Sequence, residues 1–497
     1  MIKLIKILDI IKVLKRFKHN INFKLIKCKN LIENFPEFKR IKSQHLYMIT
    51  PPNQCKCHHQ TIFFRYPSFI KQNFQSYNIT EVTIKKKEYF VSSVQHFVKD
   101  IKSKKGYKCI KDALNNNNVI RLYNDVDCNI YWRYSYIRKY LPAKISKHQR
   151  LNGFINGYVL SRKDLLYNNY KIMKKKFPND FTYMPETYIF KSLKEYNVKF
   201  KDYHISKDNL WLVKPRYLYG GKGIYFLKNI NEVKKGNIIT KYISNPLLIN
   251  NRKFDIRLYL LVTGHNPLKI YIFDEGLVRL SSEEYNLDIN DLDNRFKHLT
   301  NTSINKKNRK NKKLTMSIAE AKKYIEEFYK IKFSNIWEGI KDIAIKTIIS
   351  MNNIEIEKEK KYTLNSNNLF ELYGMDIMVD SNFKTWLIEM NCNPSLSYFQ
   401  AEEHNKIIKY KLVHDLFNII GLVPYSHITG KALEKECYYD NSIEEAVDQS
   451  ICEFLRPLGG FEQIFPTKEN IKYYMKFFKT ITPNNQALWD KIDKEKF

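Results

Sequence analysis

Residues Glu371–Leu396 read ELYGMDIMVDSNFKTWLIEMNCNPSL. Two apolar runs, Leu372–Val379 and Thr385–Met390, flank the polar turn Asp380-Ser381-Asn382, the pattern of a β-hairpin. If Val379 pairs with Trp386, antiparallel register sets Asp376 opposite Glu389, and directly opposite residues share a face. Glu389 and Asn391 stand two apart on one strand and point the same way. Asp376, Glu389 and Asn391 then converge as three oxygen donors on an otherwise apolar sheet. Two carboxylates that close repel unless a cation lies between them, and hard oxygen donors suit Mg²⁺ carrying a nucleotide's phosphates. Taken alone, the hairpin also admits a plainer reading: a solvated face with three unrelated polar residues.

The surrounding sequence narrows the choice. SRKD at 161–164, WLVKP at 211–215, GKGI at 221–224, KYISNPLLI at 241–249, RKFDIRLYLLVTG at 252–264, DEGLVRL at 274–280 and HLTN at 298–301 precede the hairpin in that order. With it they resemble the tubulin–tyrosine ligase-like family, a branch of the ATP-grasp ligases, over roughly residues 125–425. The family writes its metal end as E-L-[FY]-G-x-D followed by W-L-x-E-x-N-x-[NS]-P-[SA]-L, and almost every position matches. The resemblance implies an α+β chain with the ATP-grasp fold, in which amino-terminal, central and carboxyl-terminal domains surround an ATP cleft.

It also implies roles. Lys163 and Lys214 are the phosphate lysines, each a point charge with three donors. Pro215 restricts Lys214 to extended backbone and aims it from a strand end. Gly221, Lys222, Gly223 and Ile224 belong to a glycine loop whose N–H groups face phosphates. Lys241, Tyr242 and Ile243 form the linker that reads adenine, and Asp255 accepts from ribose hydroxyls. Arg257, two residues on and so on the same face, meets the incoming amino acid's carboxylate. Arg279 stabilises the oxyanion of a tetrahedral intermediate, while Asp376, Glu389 and Asn391 hold Mg²⁺. Thr300 and Asn301 sit near the phosphates, Ser303 and Lys306 are expected at the amino acid, and His298 is read as a structural hydrogen-bonder. The chain departs from the family at Gly220, where Arg or Gln is common, at the bulky Tyr217 and Tyr219, and at Thr302, where glutamylating relatives carry tyrosine.

The implied chemistry is amide formation. A carboxylate is a poor acylating agent, so Mg-ATP first converts a glutamate carboxylate of the protein substrate into an acylphosphate, which the amino acid's amine attacks. No Ser/His/Asp or Cys/His arrangement points to a covalent enzyme intermediate; the work is positioning and charge stabilisation. The phrasing of SRKDLLYNN, NPLLI, KFDIRLYLLVTG and EGLVR is closest to the tubulin polyglutamylases. The expected partners are therefore tubulin or microtubules, through their acidic carboxyl-terminal tails, and free glutamate. A monomer in the cytoplasm on the microtubule cytoskeleton, at a cilium or basal body among other places, fits that reading. A glycine or tyrosine ligase of the same mechanism and a non-catalytic microtubule-binding pseudo-ligase remain alternatives.

Composition supports a basic protein with an acidic partner. The 497 residues carry 85 Lys/Arg against 51 Asp/Glu, a formal charge of +34, a field that favours nucleic acid, anionic membrane or an acidic protein tail. Lys, Asn and Ile are all abundant, so coding bias accounts for part of the excess, and no nucleic-acid recognition module is present. Residues 306–313, KKNRKNKK, follow HLTN after four residues; they read as a tail-binding loop or as a solvated insertion. The eight cysteines show no even framework, which favours reduced thiols. Cys55, Cys57, His58 and His59 have the chemistry of metal ligands but lack a second ligand pair.

Along the chain, residues 1–110 hold 23 Lys/Arg and 6 Asp/Glu and read as a basic, partly flexible extension, opening on an amphipathic MIKLIKILDIIKVLKRF. Residues 111–152 read as the amino-terminal ligase domain, with Trp132 in its core and a loop at Asn115–Asn118. Residues 153–238 form the central domain, 239–425 the catalytic domain, and 426–497 a near-neutral tail with 10 basic and 12 acidic residues. Strands are expected at Trp211–Val213, Ile224–Leu227, Ile256–Val262 and Ile270–Phe273, and helices at Ser317–Lys330 and Ile336–Ile349. No stretch has the length and apolarity of a transmembrane helix.

Overall fold

The computed structural model describes residues 45–50, 60–65, 78–83, 91–95, 108–117, 119–121, 129–133, 149–189, 193–234, 236–308, 313–359, 367–397, 402–423, 425–426, 431–432 and 442–494. The amphipathic first seventeen residues, the Cys55–His59 cluster and residues 309–312 of the basic loop lie outside them.

The architecture is α+β and is organised by one strand, Arg252–His265, buried along nearly its whole length. The strand Leu369–Val379 pairs antiparallel with one edge of it. Its other edge pairs first with Leu277–Leu280 and then with Leu268–Phe273. Beyond Leu369–Val379 the direction changes: Arg150–Asn152, Ile130–Arg133, Val91–Gln95 and Ile120–Arg121 continue the same sheet as parallel neighbours. A strand enclosed on both faces needs no alternation of polar and apolar residues, and LYLLV at 258–262 has none.

Each face has its own core. Ile256, Leu258, Leu260 and Val262 pack with the helix Phe333–Glu359, whose Ile336, Ile340, Ile343 and Ala344 lie in the same cluster. Tyr259 and Leu261 pack under the helix Glu403–Ile420, with Leu412, Leu416 and Phe417. Both helices expected at 317–349 are present. Ser317 and Glu320 close a capping box at the start of Ile318–Tyr329, and Lys330 ends that helix in the left-handed conformation.

A second, four-stranded antiparallel sheet contains Tyr225–Phe226, Trp211–Pro215, Asn237–Lys241 and Thr187–Tyr188. Its own small core holds Trp211, Val213, Ile239, Tyr196 and Phe200. Residues 442–494 are built into the large sheet: Phe461–Phe465 pairs with Leu268–Phe273, and the buried Glu453 accepts from Lys269 Nζ at 2.9 Å and Tyr271 Oη at 2.7 Å. Trp132 is buried against Phe370 and Phe417, as expected of a core residue.

Three expectations need correction. Asn115 and Asn116 do not form a loop; they end the helix Lys108–Asn116, and Asn117 Nδ2 returns to the Ala113 carbonyl at 2.9 Å. Asparagine at a helix end satisfies backbone groups that a mid-helix position would leave no reason to meet. Cys452 is disulfide-bonded, against the expectation of reduced thiols. A bridge needs spatial proximity, which spacing along the chain does not reveal. The third correction is the hairpin register, described with the site. Among the described residues no helix is long and apolar enough to cross a membrane.

Candidate active site

The hairpin forms from Leu369–Val379 and Thr385–Cys392, but Val379 pairs with Thr385 rather than Trp386. A bulge at Ile388 then adds one residue to the second strand, so that Asp376 faces Glu389 after all. Without that bulge Glu389 would fall on the opposite face from Asp376. Asn391 follows on the same face, and its Nδ2 donates to Glu389 Oε1 at 3.2 Å.

Across the sheet, Arg257 lies opposite Asp376, and Asp255 lies opposite Arg279. These four side chains occupy one face and alternate in sign. Arg257 donates to both oxygens of Asp376, with its NH2 at 2.9 Å from Oδ2. Arg279 donates from Nε to Asp255 Oδ1 at 2.7 Å and from NH2 to Asp376 Oδ2 at 2.8 Å. The two guanidiniums hold the Asp376 carboxyl far below the usual carboxylate range despite its burial. Gly374 permits the arrangement: a Cβ there would lie 3.3 Å from Arg257 Cδ and 2.9 Å from Pro394 Cβ.

Lys163 begins the helix Lys163–Lys176. The loop before it is pinned by two buried carboxylates, since Phe154 N–H donates to Glu371 at 3.0 Å and Asn156 N–H to Glu355 at 2.8 Å. Lys163 Nζ thereby lies 3.6 Å from Glu389 Oε2. Lys214 projects from the end of Trp211–Pro215. Desolvation, reinforced by the charge of Lys163, pushes it down to about 8. Burial and the charge of Lys214 push Lys253 down to about 7. Lys253 Nζ donates to Tyr242 Oη at 2.8 Å, and Tyr242 Oη lies 3.0 Å from His298 Nδ1.

These residues meet in a cleft of about 840 Å³, open mouth included, between the two sheets. Lys163, Lys214, Gly221, Lys222, Ile224, Lys241, Tyr242, Ile243, Asp255, Arg279, Thr300, Asn301, Asp376 and Glu389 all line it. Arg257 lies behind Asp376, Asn391 beside Glu389, and Gly223 on the side of the loop that faces Pro215. The glycine loop takes positive φ at Gly220, Gly221 and Gly223, and a Cβ on Gly221 would collide with Asn301. Ser303 is not in the cleft lining; its Oγ donates to the Gly220 carbonyl at 3.2 Å. Lys306 caps the short helix Thr302–Asn305 beyond it. The linker's first two N–H groups serve the fold: Lys241 donates to Glu186 at 2.7 Å and Tyr242 to Leu210 at 2.8 Å.

Sequence reading assigned no role to Lys253, Met378 or Ile388, yet all three line the cleft. The signal for Lys253 was available: Lys253, Asp255 and Arg257 alternate through an apolar strand, which puts all three on one face. His298, read as structural, both hydrogen-bonds Tyr242 and lines the cleft.

Chemically, three lysines converge with too little acid to neutralise them, and burial, reinforced by that crowding, holds two below their ordinary values. A polyphosphate supplies the missing charge. Asp376 and Glu389 line the same cleft, with Asn391 beside Glu389, and their oxygens are donors of the kind a hard divalent cation takes. Asp376 retains acceptor capacity for it beside its arginines, because a carboxylate offers about four lone-pair sites.

The chain matches the tubulin-tyrosine ligase family over residues 143–431. It is similar to a human tubulin polyglutamylase (TTLL5), 33% identical over an alignment of 319 residues that covers 60% of this chain and 24% of that protein. A probable alpha-tubulin polyglutamylase (Ttll1) of Tetrahymena thermophila is 32% identical over 338 residues, 60% of this chain and 79% of the relative. A human tubulin monoglutamylase (TTLL4) is 30% identical over 393 residues, 67% of this chain and 32% of the relative. The chain thus spans about a quarter of the length of the first of these relatives. With most of its length matched and the family's motif residues gathered in one cleft, the chain belongs to the tubulin-tyrosine ligase family.

Proposed function

We propose that this chain is an ATP-dependent carboxylate–amine ligase that adds glutamate to glutamate side chains in the acidic tails of tubulin. The observation that carries the reading is the cleft itself, in which Lys163, Lys214 and Lys253 line one space together with Asp376 and Glu389. Its relatives' names, tubulin polyglutamylase and monoglutamylase, support the choice of glutamate and of tubulin. The division into amino-terminal, central and carboxyl-terminal ATP-grasp domains, with the cleft between the last two, belongs to the same proposal.

Mg-ATP, when bound, supplies the phosphoryl group that activates the acceptor carboxylate. Lys163, Lys214 and Lys253 bind and neutralise the phosphates, and Asp376, Glu389 and Asn391 would hold the metal. Asp255, Lys241, Tyr242 and Ile243 orient the nucleoside. Arg279, already aimed along the line between Asp255 and Asp376, stabilises the oxyanion that develops when the amine attacks. Arg257 turns from Asp376 to the α-carboxylate of the incoming amino acid, a pairing for which a planar guanidinium is well matched. Ser303 and Lys306 are the residues assigned to a second carboxylate of the incoming amino acid. The proposed place of action is the cytoplasmic microtubule cytoskeleton, cilium or basal body included, with the enzyme acting as a monomer.

The test is mass spectrometry of microtubules incubated with the purified protein and ATP, with glutamate, glycine and tyrosine offered separately. Glutamate incorporation is expected. Incorporation of glycine or tyrosine alone would keep the ligase mechanism and reject the glutamate assignment, while no incorporation of any would reject the ligase.

A further inference from the structure

The loop that carries the glycines also carries Tyr217, Leu218 and Tyr219, which are 69%, 45% and 73% exposed. Contiguous exposed apolar side chains at the mouth of a cleft mark a surface that meets something. Leu218 and Tyr219 also line the mouth of the cleft, and the backbone that carries them is fixed. Lys163 Nζ donates to the Leu218 carbonyl at 3.1 Å, Ser303 Oγ to the Gly220 carbonyl at 3.2 Å, and Arg295 to the Gly221 carbonyl. Three donors from three separate elements hold the backbone while the rings stay in water.

Cations accompany the rings. The guanidiniums of Arg162 and Arg216 lie 5.4 and 5.9 Å from the centre of the Tyr217 ring, and Lys222 Nζ lies 5.4 Å from that of Tyr219. Arg162 and Arg216 share one carboxylate, Asp164, at 2.7 and 3.3 Å. The group therefore keeps a net positive charge. Exposed rings with cations stacked over them suit an acidic chain whose carboxylates meet the cations while its aliphatic stems lie against the rings.

We propose that Tyr217 and Tyr219, with Arg162, Arg216 and Lys222, form a docking platform for the acidic acceptor peptide at the mouth of the cleft. The identity of that peptide as a glutamate-rich tail rests on the function proposed above; the platform rests on the loop. Its rings add a contribution that salt does not screen, which distinguishes it from a purely electrostatic attraction.

The experiment compares the full-length protein with the Tyr217→Ser/Tyr219→Ser and Tyr217→Phe/Tyr219→Phe double variants. Fluorescence anisotropy with a labelled synthetic glutamate-rich peptide reads docking, and calorimetry with ADP reads the cleft. The serine variant is expected to lose about tenfold in peptide affinity, from the apolar ring surface removed, and the phenylalanine variant less than about twofold. The loss for ADP is expected to be smaller than the loss for peptide. Unchanged peptide affinity in the serine variant overturns the platform, and so does a loss confined to ADP, which would make the loop a nucleotide lid. If the wild-type protein transfers no glutamate but the serine variant still loses peptide affinity, the platform stands and the ligase reading falls.

Discussion

Arg279 and Asp376 stand on strands that do not touch, since Arg252–His265 runs between them, yet Arg279 NH2 lies 2.8 Å from Asp376 Oδ2. The contact reaches over the central strand beside Asp255 and Arg257, so two acids and two bases neutralise one another on a single face. Removing one member leaves its partners charged and poorly solvated.

Arg279→Ala is therefore expected to lower stability by about 3–5 kcal/mol, the range for breaking a buried ion pair from one side. Chemical denaturation measures it. Arg279→Lys should recover part of the stability but little ligase activity, because a lysine cannot span both carboxylates. The network also predicts acid sensitivity. The Asp376 carboxyl is held below its ordinary value in the folded protein, so its contribution is full above the usual carboxylate range. It is lost as pH falls below that range, and Arg279→Ala should flatten that decline.

Glu389→Gln keeps the shape of the site and removes one charge from the proposed metal set. It should abolish ligation, with circular dichroism and melting temperature close to wild type. Calorimetry should show weaker binding of Mg-ADP with a smaller effect on ADP without metal. Retained ligation would remove Glu389 from the metal site.

Lys253 and Lys214 are held at about 7 and about 8 in the folded chain, against about 10.4 for a free lysine. Between these values the unfolded chain binds more protons than the folded one, so their contribution makes stability rise with pH across that window. Phosphates favour the charged lysines, so ADP binding at pH 8 should take up protons and weaken as pH rises further. Calorimetry in two buffers of different ionisation enthalpy reads the uptake directly. Lys253→Met should reduce it, and no uptake in the wild type would show that the lysines stay charged without nucleotide.

Gly374→Ala tests the packing beneath Arg257. The new methyl would lie 3.3 Å from the Arg257 side chain and 2.9 Å from Pro394, an overpacking of about 1–3 kcal/mol. The expected result is a modest fall in melting temperature. A rise of about tenfold in KM for the amino acid should accompany it, equivalent to about 1.4 kcal/mol. An unchanged KM would place the amino acid away from Arg257.

The residues by themselves determined the types of donor, the hairpin, the helices near 317–349 and the line of Asp255 and Arg257 on one strand face, because these depend on local periodicity. Lys253 belongs to the same line and was legible there, although it went unassigned. The facing of Asp376 and Glu389 was also reached, but through a pairing of Val379 with Trp386 that the chain does not make. A bulge at Ile388 restores it, and the alternation of residues along a strand cannot announce where one extra residue will enter. Only the tertiary structure decided that Arg279 reaches Asp376, that Ser303 ties down the glycine loop, and that Lys163, Lys214 and Lys253 share one cleft. Those contacts join segments up to about a hundred residues apart, such as Arg279 and Asp376. Their distances, and the burial and crowding that lower the lysines, come from the closure of two sheets upon each other, which no local pattern contains.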